Sequence, residues 1–303
     1  MKRNCFPCTA TQIFDVCAIF GAAPTILQTA ISTRMSFRVP QELSDEIINY
    51  LSDDKEALKA CSLASRNFTP LSQKFIFSCV VIRTPNPENS STHPHSHVWD
   101  FGGSPLKFRA LFDTSPHIAD YIECLQIVNV GPLFDHQLDM YNTSLPHCLP
   151  YINKLKALVI CGLHRWDDFS QETWSSFLRL FQLPSLIHLD LSAAPDWLLD
   201  NVLGPNIKHL CVRHAIDYDQ HFSSVPRPSI SPPIYLDSLM SHQSDRHPRR
   251  EEVSRVNVSQ LRKLMIKEDC GDFERNLLHR CRDSLEELTI IPYVNLDGTL
   301  LSH

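Results

Sequence analysis

Glycine is scarce, at 8 residues in a chain of 303, which leaves little material for backbone cradles around phosphates or dinucleotides. No Gly-rich phosphate loop, no nucleophile elbow and no His-Glu-x-x-His ligand pair occurs, and Gly102-Gly103 stands outside any strand-to-helix context. Neither intrinsic catalysis nor a bound cofactor is expected. A basic surplus is missing too: 28 Lys and Arg against 34 Asp and Glu give a net charge of -6 and a pI near 6.2. Such a chain offers no field for nucleic-acid phosphates, and its basic cluster His247 to Arg250 is met at once by Glu251 and Glu252.

Long apolar runs are also lacking. The run Ile13 to Ala23, behind Lys2-Arg3, faintly imitates a signal peptide, but Asp15 interrupts it. It falls short of the roughly 18 apolar residues a membrane span needs, so no membrane partner is expected. Met35 offers a later start, and residues 1–34 are read as a disordered leader. The 11 cysteines are odd in number and dispersed, with Cys124, Cys161 and Cys211 inside apolar strand-like runs. That usage fits buried, reduced thiols of a cytoplasmic or nuclear protein better than a disulfide framework. Cys5 and Cys8 have metal spacing without a second pair, and His93, His95 and His97 alternate on a proline-rich stretch, so no metal site is expected.

What the chain does have begins at Val39. Leu43, Ile47, Ile48 and Leu51 fall on one stripe of a helix opened by Pro40. A second helix is expected from an Asp53/Glu56 capping pair and carries Leu58, Cys61, Leu63 and Ala64. Thr69-Pro70 then starts a third, bearing Leu71, Phe75, Ile76 and Phe77. The Pro40-Gln41-Glu42-Leu43 opening, Ile47, Ile48, Leu51 and the stretch Leu58 to Arg66 followed by Phe68 resemble an F-box, closely so the F-box-like proteins of mushroom-forming fungi. The resemblance implies a helical module that docks into a Skp-family adaptor and, through it, joins a cullin-based ubiquitin ligase. It also implies that Pro40, Leu43, Ile47, Ile48, Leu51, Leu58 and Leu63 make the adaptor contacts, while Phe68 stands where many F-boxes have tryptophan. An ordinary helical cap on a larger domain is the plainer alternative.

Six segments farther on share the spacing apolar, two any, apolar, one any, apolar: Ile122-Leu125-Ile127, Leu155-Leu158-Ile160, Leu186-Leu189-Leu191, Ile207-Leu210-Val212, Leu261-Leu264-Ile266 and Leu285-Leu288-Ile290. This is the strand signature of leucine-rich repeats, in which alternate residues of a short strand enter a shared core. The middle leucines are 33, 31, 21, 54 and 24 residues apart, irregular against the about 20 to 29 of a regular array. The long interval is expected to hide one more repeat near Ile234, Leu236 and Leu239, or a loop insertion. The asparagine that usually follows such strands is replaced at Val130, Leu163, Ala194, Ala215, Asp269 and Tyr293. Helices are expected at Gln171 to Phe181, Leu106 to Thr114 and Asp272 to Cys281. A conventional α/β domain with a parallel sheet is the alternative.

The expected fold is therefore mixed α/β: a leader at 1–34, an F-box-like helical module at 36–80, a polar loop at 84–100, and at 104–303 an irregular leucine-rich-repeat arc with short parallel strands. A disordered insertion is expected at about 218–255, and the last repeat is expected to stand open, without a polar cap. The function implied is that of a substrate receptor in an SCF-type ligase, with a plain repeat scaffold as the rival. On the outward face the early strands offer mostly apolar residues such as Val128, Val159 and Cys161. The later ones add His188, Asp190, His209, Arg213, Lys263 and Lys267, which would suit a partly acidic target protein.

Overall fold

The computed structural model describes residues 39–84, 104–129, 133–163, 166–192, 203–213, 233–242, 256–267 and 272–291. The expected leader, polar loop and most of the proposed insertion lie outside them. The chain opens with three helices, α1 (Gln41–Tyr50), α2 (Lys55–Ala64) and α3 (Thr69–Phe77). Pro40 caps α1 by position, since a missing N–H costs nothing where the amide has no helical partner. The cap of α2 is Asp54, whose carboxylate accepts the Ala57 N–H at 3.0 Å, one residue later than the expected Asp53. Thr69 does not cap α3; its hydroxyl donates to the Ser62 and Ser65 carbonyls and ties α3 to the end of α2.

From α3 the chain passes through Ser78 alone into β1 (Cys79–Arg83). There follow α4 (Pro105–Thr114), β2 (Cys124–Val128), α5 (Asp135–Cys148), β3 (Ala157–Cys161), α6 (Gln171–Phe181), β4 (His188–Ser192) and β5 (His209–Arg213). The two-residue β6 (Ile234–Tyr235) and β8 (Val256–Asn257) flank β7 (Ser238–His242), and β9 (Lys263–Lys267), α7 (Asp272–Cys281) and β10 (Glu287–Ile291) close the order. Eight strands form one parallel sheet in the order β1-β2-β3-β4-β5-β7-β9-β10, while β6 and β8 pair apart from it. The order never reverses. A doubly wound sheet turns back at a switch point and is covered on both faces; here each strand lies beside the one before it.

Register explains why the spacing repeats. Val80, Leu125, Leu158, Leu189, Leu210, Leu239, Leu264 and Leu288 stand side by side in one ladder. Two residues on, Ile82, Ile127, Ile160, Leu191, Val212, Ser241, Ile266 and Ile290 form a second. Both ladders point to the helices, and apart from β10 their members are buried. All six strands expected from the spacing are present, and two more share their ladders. In β7 the third apolar position is taken by Ser241, so Leu236-x-x-Leu239-x-Ser241 breaks the pattern while keeping its place. In β1 the spacing is intact as Phe77-x-x-Val80-x-Ile82, but its first member also completes α3, which hides it. Leu239 divides the 54-residue interval into 29 and 25 residues, ordinary lengths for such an array. On β10, Leu288 is 44% and Ile290 52% exposed.

The helices and the inward ladders form one continuous apolar core, and Ile48, Leu58, Ile76 and Phe77 of the first three helices belong to it. The division expected at residue 80 therefore crosses a strand, and the helical module and sheet share their interior. At the other edge of β2, Asn129 stands one position before the expected asparagine. It is buried, contacts the Thr84 hydroxyl through Oδ1 and donates through Nδ2 to the Gly162 carbonyl at 3.2 Å. Gly162 has φ +75°, and a Cβ there would lie 2.0 Å from the Asn129 carbonyl oxygen. Gly162→Ala is expected to lose roughly 2–3 kcal/mol from backbone strain and displaced contacts, a fall in Tm on the order of 5–10 °C by calorimetry.

Candidate functional site

Two surfaces gather the residues singled out by sequence. On the helical module, Leu43 is 51% and Ile47 45% exposed, and Tyr50, which sequence reading passed over, is 90% exposed. Positions 43, 47 and 50 follow i, i+4, i+7 and so form one apolar stripe on α1. Pro40 is exposed at its start. Leu63, 62% exposed, stands on α2. The other expected contacts divide: Ile48 and Leu58 are fully buried, and Leu51 is half-buried against the core. A helix stripe read from spacing alone includes both flanks of its face, and here the inner flank holds the module together. Phe68 likewise packs against the core.

The second surface is the face of the sheet turned away from the helices, built from the alternate strand positions. Its middle ladder runs Val81, Gln126, Val159, Asp190, Cys211, Met240, Met265, Thr289. Cys124, Cys161 and Cys211 occupy outward positions of their strands and lie here half-buried. Cys79 and Cys124 are register partners whose thiols hydrogen-bond, and the Gln126 amide donates to both at 3.8 and 3.9 Å. That thiol pairing, then burial, pushes the Cys79 pKa up, and burial pushes Cys211 up to about 11. Both stay protonated at neutral pH, as poor nucleophiles.

Across β3 to β10 this face dips into a groove of about 340 Å³. Of the six candidate target-binding residues, His188, Asp190, His209 and Lys263 line it. The His188 and His209 rings stack with centroids 4.1 Å apart, and His209 Nδ1 lies 2.7 Å from the Ser238 hydroxyl. Arg213 donates to Asp190 at 2.7 Å, and Lys263 is held by Glu287. The side chain of Lys267 lies outside the described residues. The positive surplus that would have favoured an acidic partner is thus cancelled strand by strand. The signal was present in the sequence, since Glu287 occupies the repeat position matching Lys263 and Asp190 the one diagonal to Arg213, two residues earlier, but opposite charges come together only once register is known.

Burial lowers the pKa of both histidines; the neighbouring ring adds to this at His188, and at His209 Asp237 opposes it while Lys208 and Lys263 reinforce it. A lowered folded-state value means that, as pH falls through the ordinary histidine range, the unfolded chain takes up protons first. Stability is therefore expected to drop from about pH 7 toward the lowered folded values. His188→Asn with His209→Asn should flatten that part of the profile in thermal melts.

Among the described residues no group of three or more His, Cys, Asp or Glu gathers closely enough for a metal ion, and no helix is long and apolar enough to cross a membrane. The Cys5/Cys8 and His93/His95/His97 sets lie outside the described residues. Compared with protein-family models, with curated proteins and with solved structures, the chain matches none.

Proposed function

We propose that this chain is a substrate-receptor subunit of an SCF-type ubiquitin ligase, its helical module binding a Skp-family adaptor and, through it, a cullin. The observation that carries this reading is the apolar stripe Leu43, Ile47 and Tyr50, left open on a module whose interior is already closed by Ile48, Leu58 and Ile76. A contiguous apolar helix face in water marks a protein contact. The unidirectional strand order, the common ladders and the open outer face support reading the sheet as an irregular leucine-rich-repeat arc that holds a target protein. On this reading the chain performs no chemistry and works by holding the target near the ligase, in the cytoplasm or nucleus.

Co-purification tests it. The full chain, expressed with an affinity tag in eukaryotic cells, is expected to bring down a Skp adaptor and a cullin in near-stoichiometric amounts. Recovery of the folded chain without either rejects the reading and leaves a repeat scaffold free of any ligase role.

A further inference from the structure

The geometry points to the groove on the outer sheet face as the seat of an uncharged, apolar, extended segment of a partner protein, laid across the strands. This deepens the target-receptor reading above and rests on it. Six strands about 4.8 Å apart give a floor about 24 Å long, the span of about seven residues of extended chain. The groove is open along that length, which suits a chain segment better than an enclosed small molecule.

Charge selects the occupant. Arg213 pairs with Asp190 Oδ2 and Lys263 with Glu287, so a charged segment would have to break a pair and leave its partner exposed to desolvation. The buried Asp190 Oδ1, which has no hydrogen-bond partner among the described residues, can instead accept a neutral N–H from the segment's backbone. Between the pairs the floor is Cys211, Met240 and Met265, three successive rungs of one ladder, with the Cys211 and Met240 sulfurs 3.2 Å apart. Unbranched thioethers adapt to apolar side chains of varied shape. The charged groups around the stacked imidazoles are Lys156, Asp190, Lys208, Asp237 and Lys263; with the rings neutral this set adds no field that favours an anionic or cationic ligand strongly. Protonation of either ring would add a cation beside the apolar floor.

An array of immobilised peptides of about nine residues, in uncharged apolar, acidic and basic sets, probed with the purified full chain, tests this. Retention is expected on the apolar set near pH 7.5 and weaker by several-fold near pH 5.5, with His188→Asn/His209→Asn removing the pH effect. Met240→Glu with Met265→Glu should cut retention at least about tenfold. Asp190→Asn, which releases Arg213 without adding bulk, should turn preference toward acidic peptides. Preference of the unaltered chain for acidic or basic peptides overturns the inference, as does retention unmoved by the methionine changes or retention on no set. None of these outcomes touches adaptor capture, so failure of the groove and failure of the receptor reading are told apart.

Discussion

Replacing Leu43 and Ile47 together by Asp is expected to abolish capture of the adaptor while leaving the sheet folded. Both side chains are about half exposed, so in the free chain the change removes little burial and costs about 0.5 kcal/mol of helix propensity at each position. In a complex the same side chains would be buried anchors, each contributing about 2–4 kcal/mol, and their replacements would be carboxylates without partners. At about 1.4 kcal/mol per tenfold, the pair should lower affinity by more than a thousandfold. The measurement is a pull-down with purified adaptor alongside a thermal melt. Full capture by a chain that melts normally would refute the proposed seat. Ile48→Asp is the informative contrast: that side chain is fully buried, so it should lose the module itself, and the melt would reveal it.

The second large effect is structural. Trp166 is fully buried, with Trp174 at 5.4 Å, Phe177 at 5.8 Å and Phe169 at 6.1 Å between ring centroids. The Trp174 indole N–H donates to the Trp166 carbonyl at 3.0 Å, which fixes the entry to α6. Trp166→Ala leaves a cavity lined by rings that cannot collapse together, at a cost of about 3–5 kcal/mol. For a chain whose total stability is about 5–15 kcal/mol, that should lower Tm by roughly 10–15 °C, read by differential scanning calorimetry. A shift under a few degrees would mean that the aromatic cluster repacks.

The strands were legible in the sequence because one rule governs them: a parallel sheet with one buried face demands apolar residues at fixed offsets, and composition supplied them six times. The rule failed where another demand overlapped. Ser241 meets the ladder with a small buried hydroxyl, and Phe77 serves helix and strand together. Helix α5 was missed because Asp135–Cys148 mixes polar residues with Pro146, although Leu138, Tyr141, Leu145 and Cys148 are buried on its inner side. At the candidate sites, residue type was readable and pairing was not. Leu43 and Ile48 look alike in sequence, and only packing separates the exposed from the buried. Arg213 and Lys263 read as free cations until register brought Asp190 and Glu287 beside them.

One residue, Ser78, separates the last helix of the module from the first strand, and apolar side chains run unbroken past that joint. A link that short, with filled interior behind it, has no freedom to swivel. On the proposed reading the molecule is accordingly a bracket and not a tether: a target resting on the sheet would be held at one bearing and one distance from an adaptor gripping α1. Reach is then set by the number of strands, which makes an inserted or deleted repeat a change of aim.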